Sequence, residues 1–399
     1  MPPVTRDGLE TGLNARSAIF AQLSELSARV DAAEKAIGGF SVIDEGLERM
    51  ADRFTDEFGH MRDGLSELED KLWAEEQLAE RWQEFAQVKA SADVLLGDCL
   101  AFIHGALTRT RKLDGGLCRI ADHFLKGLAR AVRVEWGSLT VLAENEFYEN
   151  LAQIVRLRFA EASVWSLPIA AHEFGHFAGP AIKVEKREKR RWHYDHPLQH
   201  ILDEELPEGE NNWARMHEYI ADIFATYCLG PAYVYTCVLL RFDPANPNQE
   251  FRHPSDAKRV CAMLEALGKM NEAEENERPY SLILEELDRV WQASVEAAGA
   301  TLEADRTTAL KEARFDEIYG LLEDATPAAK YSSLARADRL REEFDPQKRD
   351  KPQVRPDDTI PDVLNAAWLS RVEFGDTSAE TIGKKALAAC LQVVDGAQQ

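Results

Sequence analysis

The stretch SLPIAAHEFGHFAGPAI, residues 166–182, sets two histidines and a glutamate, His172, Glu173 and His176, inside an otherwise apolar run. On a helix, residues four apart share a face, so His172 and His176 can offer their imidazoles to one metal ion while Glu173 projects beside them as a base. Ser166 is a good N-cap and Pro168 suits a first turn, which predicts a helix that begins near Ser166 and stops at Gly179-Pro180. The chemistry this spacing points to is that of a zinc hydrolase, with Zn2+ as its cofactor.

Two imidazoles hold zinc poorly, and a catalytic site has three protein ligands with one position left for water. An extended HExxHxxGxxH motif would supply a third histidine; Gly179 falls at its glycine, but its last position is Ile182, so that class is excluded. The other source is a glutamate on a second helix, as in gluzincins such as thermolysin. Glu218 opens the run EYIADIFATYCLG, preceded by Asn211-Asn212 as N-cap, and so can point inward from a helix whose face is core. Asp222, one turn on, is placed to accept the outer N–H of a zinc histidine, with a structural salt bridge as its plainer reading. Glu205, Glu208 and Glu210 are weaker ligand candidates in a loop-like stretch. His193, His196, His200 and His217 read as surface or hydrogen-bonded histidines, His217 facing about 100° away from Glu218.

Three motifs in this order, HEFGH, then EYIAD at 218 to 222, then His253-Pro254-Ser255 with Arg259, resemble the CAAX prenyl endopeptidase and HtpX group of gluzincin metallopeptidases. The resemblance covers about a third of the chain, from residue 130 to 267. It implies zinc held by His172, His176 and Glu218, Glu173 as catalytic base, and Asp222 supporting a ligand. It also implies that His253 and Arg259 act as catalytic residues on the scissile carbonyl. The plainer reading of HPSDAKR is a helix start with Ser255 capping and Arg259 exposed. Many members of that group are membrane-embedded, and their prenylated or membrane substrates are not carried over to this chain.

With 399 residues the chain exceeds one usual domain, and two or three units are expected. The expected fold class is mainly α (α+β): a zincin-like metallopeptidase core with a small sheet at 131–267, a helical, coiled-coil-like region at 1–130 and a helical accessory region at 268–399. Leu47, Met50, Phe54, Phe58, Met61, Leu65, Leu68 and Leu72 step by threes and fours, a seam that serves self-association, partner docking or packing within the same protein. Gly38-Gly39 turns the chain between two such helices, and VEWGSLTVL supplies a strand ahead of the zinc helix. KVEKREKRR, Lys183 to Arg191, followed by a polar, acidic stretch, reads as a surface excursion over or beside the site.

Acidic residues outnumber basic ones 70 to 47, a formal charge of −23, which disfavours nucleic acid and anionic lipid as partners. The most apolar window, Tyr219 to Leu240, is broken by Asp222 and Gly230-Pro231 and reads as two buried helices rather than a membrane span. Six cysteines without a CxxC pair suit reduced thiols, and the start lacks the pattern of a secretory signal; a cytoplasmic protein is expected. The expected function is a zinc-dependent endopeptidase acting on a protein or peptide, with a zinc-stabilised regulatory or interaction protein as the alternative. Substrate would lie along a strand edge, that near Thr140.

Overall fold

The computed structural model describes residues 15–38, 45–74, 78–137, 140–143, 147–149, 154–158, 163–188, 191–205, 209–250, 252–272, 279–348 and 351–397. The fold is mainly helical with small sheets, as the periodicity predicts. The chain forms two compact units. The first holds α1 (Ala15–Gly38), α2 (Glu45–Ala74) and α3 (Leu78–Thr110); the second takes the elements from Asp114 on.

In the first unit the apolar seam of α2 is internal: Leu47, Met50, Phe54, Phe58, Leu65, Leu68 and Leu72 are buried, and Phe54 packs 5.4 Å from Phe102 of α3. The seam thus packs within the same chain, the second of its two readings, the first being self-association or partner docking. Arg62 pairs with Asp31 at 3.2 Å across α1 and α2, and Arg29 with Asp93 at 2.8 Å across α1 and α3. Within α3 the segment Glu80–Thr110 is long and apolar enough to cross a membrane by length and composition; Phe85, Leu95, Cys99 and Phe102 are buried while Val94, Leu100 and Leu107 are exposed. The residue proposed to share the turn after α1, Gly39, lies outside the described residues.

The second unit opens with α4 (Leu117–Val132) and a three-stranded sheet of β1 (Thr140–Ala143), β2 (Phe147–Glu149) and β3 (Ile154–Arg158) in the order β1-β3-β2. β1 runs parallel to β3, and β2 antiparallel. Of VEWGSLTVL, residues 140–142 are strand and 134–137 are not; Ser138 and Leu139 lie outside the described residues. Buried Asp122 of α4 fixes the start of the strand by accepting the Thr140 N–H at 2.6 Å. Next come α5 (Ile169–Ala181), the hairpin β4 (Val184–Glu188) and β5 (Arg191–Asp195), α6 (Pro197–Glu205) and α7 (Glu210–Leu229). α5 lies between the sheet, where it meets β2 and β3, and α7, its most extensive partner.

The bounds of α5 differ from those expected. Ser166 sits in a turn before the helix, its hydroxyl bonded to Ser163 O at 3.0 Å, and Pro168 takes the cap position. At the other end Pro180 lies inside the helix, which runs on to Ala181. α7 begins at Glu210 behind Gly209, so Asn211 and Asn212 occupy its first turn rather than its cap.

Gly230, at φ 62°, breaks the apolar window between α7 and α8 (Pro231–Thr236), and a Cβ there would meet the Tyr331 ring at 2.7 Å. A π-helical turn, Cys237–Arg241, follows. The remaining helices are α9 (Asp256–Glu272), α10 (Ser281–Ala297), α11 (Arg306–Glu312), α12 (Phe315–Ala325), α13 (Leu334–Arg341), α14 (Ile360–Phe374) and α15 (Ala379–Gly396). They share one hydrophobic core with α4, α5 and α7. Fully buried Asn365 of α14 shows how closely: it accepts the Ala232 N–H at 2.9 Å and donates to Leu229 O at 2.7 Å, satisfying the backbone groups that the α7–α8 break exposes.

Candidate metal centre

α5 and α7 touch where their side chains are smallest. A Cβ on Gly175 would come 3.0 Å from Ala221 Cα, and one on Gly179 would come 2.6 Å from Ile220 Cγ2. Gly179 thus serves helix contact rather than helix termination. Phe174, fully buried, packs between Trp136 at 5.0 Å and Phe224 of α7 at 6.0 Å. His172 and His176 face Glu218 of α7, their rings 4.7 Å apart.

Between them comes Glu218. Its Oε2 lies 3.4 Å from His172 Nε2 and its Oε1 lies 3.5 Å from His176 Nε2. One ligand atom from each of the three lies within 4.8 Å of the others, close enough for the group to hold a single cation. Among the described residues, this is the group of His, Cys, Asp and Glu side chains arranged to hold a metal ion. All three are largely buried. Burial works against charge on Glu218, but Arg259 and the hydrogen bonds of His172 and His253 outweigh it and hold the carboxyl well below its ordinary range.

The outer nitrogen of His172 lies 3.0 Å from Asp222 Oδ1, a fully buried carboxylate. Arg259 clasps the same carboxylate with two bonds, Nε to Oδ2 at 2.7 Å and Nη2 to Oδ1 at 2.8 Å, and reaches Glu218 Oε2 at 3.3 Å. The Tyr233 hydroxyl donates to Asp222 Oδ1 at 2.5 Å and stands 3.0 Å from His172 Nδ1. A carboxylate so held favours the His172 tautomer with hydrogen on Nδ1, leaving Nε2 free to ligate. Ser255 does cap α9, accepting the Lys258 N–H at 3.4 Å, but the Arg259 side chain is largely buried, 13% exposed.

The outer nitrogen of His176 meets a different partner, His217 Nδ1, at 2.8 Å. Burial is the main cause that lowers both, His176 to about 3 and His217 to about 4, so both rings are neutral at physiological pH. With His176 ligating through Nε2, its Nδ1–H donates and His217 accepts. Trp213, one turn earlier on α7, packs its ring 4.7 Å from that of His217.

These groups open into a cleft of about 870 Å³ whose lining includes Glu173, Phe177, Trp213, Tyr233 and His253. Glu173 is buried beside the histidines. The His253 side chain is 64% exposed and so stands at the mouth, its Nδ1 3.0 Å from Glu218 Oε1; that hydrogen bond raises its pKa.

The structure thus gathers His172, Glu173, His176, Glu218, Asp222, His253 and Arg259 at one cleft. His217 is not a ligand but the hydrogen-bonded partner of one, within the surface or hydrogen-bonded reading its sequence position gave it. Tyr233 and Trp213 gave no sequence signal beyond that of core aromatics. The weaker candidates lie elsewhere: His196 bonds Pro180 O at 3.2 Å, His200 bonds Asp195 at 2.7 Å, Glu205 lies 3.8 Å from Arg314, and Glu210 is exposed. Glu208 and the His193 side chain lie outside the described set. Comparison with protein-family models, with curated proteins and with solved structures finds no match to this chain. The family resemblance therefore rests on the residues alone, and function must be argued from the site.

Proposed function

We propose that the chain is a zinc-dependent endopeptidase of the gluzincin type, with His172, His176 and Glu218 as its zinc ligands. The observation that carries this reading is a buried carboxylate, Glu173, in the same cleft as a His-His-Glu group whose donor atoms match the reach of one ion. Zinc, when bound, supplies Lewis acidity that makes water a nucleophile at neutral pH and polarises a carbonyl. Glu173 takes the proton from the attacking water and returns it to the leaving amine. His253, exposed at the mouth and held by Glu218, is the donor available to the developing oxyanion, a role worth about 3 kcal/mol.

Arg259 takes a different role from that of a carbonyl-polarising group. Its guanidinium is committed to Asp222 and Glu218, which makes it a positioning residue for the ligand set. An extended protein or peptide substrate lies along β2 rather than near Thr140. Both β1 and β2 are edges of the sheet, but α5 packs against β2 while α4 packs beside β1. Six cysteines without a CxxC pair suit a reducing, cytoplasmic setting.

Elemental analysis and cleavage of a broad peptide library by wild type and Glu173→Gln test the proposal together. We expect about one zinc per chain in both proteins and cleavage only by the wild type. Equal cleavage by both, or no bound metal, overturns the reading. Metal-dependent melting with no cleavage of any peptide would favour the zinc-stabilised regulatory protein instead.

A further inference from the structure

We propose that the second unit carries a further ligand site, near the C-terminal end of α7, that takes a small organic anion with an apolar body. The site is a cavity of about 810 Å³, inside the range of about 300–1,000 Å³ that small-molecule pockets occupy. Among the described residues it shares no lining side chain with the metal cleft. α7 reaches both: Glu218 stands at the cleft and Cys228 at the cavity, about 15 Å further along the helix axis at about 1.5 Å per residue.

The cavity has an apolar floor and a cationic rim. Phe124 and Leu128 of α4, Cys228, Tyr331 and Ile360 of α14 are its buried members, gathered from four separate stretches of the chain. Cys228 adds no charge, since burial raises its thiol pKa. Lys330, Arg336 and Arg355 line the cavity with one carboxylate, Asp358, and that carboxylate is already engaged. Arg339 donates to its Oδ1, and its Oδ2 accepts the Arg355 N–H at 2.7 Å. Lys330 is tied to Glu323 at 2.6 Å. Arg336 gives Nε to Asp362 at 3.0 Å and Nη2 to Ser333, but a guanidinium has five N–H donors and this side chain is 39% exposed. Arg355 is exposed at the rim. On the α4 wall the pKa of His123 is lowered first by burial and then by the charges of Arg130, Lys126 and Arg119, so three more cations act there. In a chain of net charge −23, such a cavity draws an organic anion that the rest of the molecule repels.

Gly127 keeps the space open. It lies inside α4, where glycine is less stable than alanine, and a Cβ there would meet nothing within 4 Å, so no close neighbour requires a glycine. What the missing side chain leaves is volume, because Gly127 lines the cavity, and Ala131 does the same one turn on.

The test uses the full chain and two fluorescent probes of similar shape: anilinonaphthalene sulfonate, an aromatic anion, and phenylnaphthylamine, the same rings without the sulfonate. Gly127→Phe fills the cavity and Arg355→Glu reverses charge at its rim; thermal melting shows that each variant folds. The wild type should bind the sulfonate at one saturable site. Gly127→Phe should weaken both probes at least about tenfold. Arg355→Glu should weaken the sulfonate at least about tenfold and the uncharged probe less than about threefold, and high salt should act on the sulfonate in the same direction. Arg355→Glu changes an exposed side chain, so it still decides the matter should Gly127→Phe fail to fold. No saturable binding to the wild type overturns the site, as does binding that both variants leave unchanged, which would put the dye in the metal cleft or elsewhere. Equal loss of both probes in Arg355→Glu overturns the anionic character of the ligand.

Discussion

His172 and His176 stand one turn apart on α5, yet their outer nitrogens face unlike surroundings. Behind His172 lies a buried, charged cluster: Asp222, held by two bonds from Arg259 and one from Tyr233. Behind His176 lies a neutral pair, His217 and the Trp213 ring, at the more open side of the cleft. The charged flank fixes ligand geometry at the risk of stranding a buried charge when any member is lost. The neutral flank orients its ligand through a single contact and can be altered without such a penalty.

The hardest way to break the comparison is Asp222→Ala. It leaves Arg259 buried without its main partner, and breaking a buried pair in this way costs about 3–5 kcal/mol. Urea unfolding should show that loss; a change under about 1 kcal/mol would mean that Arg259 finds water or another carboxylate. Next in size is the joint on which both flanks depend. Gly175→Ala sets a methyl 3.0 Å from a backbone atom of α7, and overpacking of this kind costs about 1–3 kcal/mol. Because the shift separates Glu218 from both histidines, metal affinity should fall along with stability. A stable variant with unchanged affinity would show that α5 and α7 can slide apart without opening the site.

His217→Phe tests the neutral flank. Loss of an outer partner to a metal histidine lowers affinity about 10–100-fold, whereas stability should move by less than about 1 kcal/mol since no charge is stranded. Competition with a metallochromic chelator measures the first and thermal melting the second. Should His217→Phe destabilise as strongly as Asp222→Ala, the contrast between flanks fails.

The charged flank was the more legible of the two in the sequence. Asp222 in so apolar a run needs a partner, and its spacing from Glu218 aims both inward, so the α7 contribution could be read from one helix alone. Arg259 came from a resemblance, which gave its place at the site; that it clasps Asp222 follows only from how α9 packs. His217 and Trp213 were not readable, because a neutral histidine beside an aromatic looks the same on a surface helix as at a metal centre. Tyr233 is recruited across the Gly230 break, and that break is itself held by Asn365 from far along the chain. Helix identity survived this limit better than helix ends. Ser166 bonded locally to Ser163 instead of capping, and a proline near a helix C-terminus removes one hydrogen bond without stopping the helix.

The smallest effect is also the most direct measure of how the flanks differ. Burial opposes charge on both ligand histidines. On His172 the hydrogen bonds and charges of Asp222 and Glu218 outweigh it and raise the pKa to about 10, whereas on His176 burial, aided by repulsion from His172, lowers it to about 3. The apoprotein at pH 8 therefore keeps a proton on His172 and none on His176, and a cation that takes the His172 lone pair must displace it. Calorimetric titration with Zn2+ at pH 6, below the ionisation of a zinc-bound water near pH 7, in buffers of different ionisation enthalpy should count about one proton released per ion. Affinity should rise about tenfold per pH unit until pH 10 is approached. A raised pKa stabilises the folded apoprotein fully below the ordinary value of 6.5, and that contribution is lost as pH rises through about 10. The apoprotein should thus lose stability between pH 7 and 10 while the metal-loaded protein does not. Asp222→Asn should abolish both the proton release and this slope by removing the negative charge that holds the proton. Release that persists in Asp222→Asn would place the proton with Glu218 instead, and the two flanks would then differ in shape but not in charge.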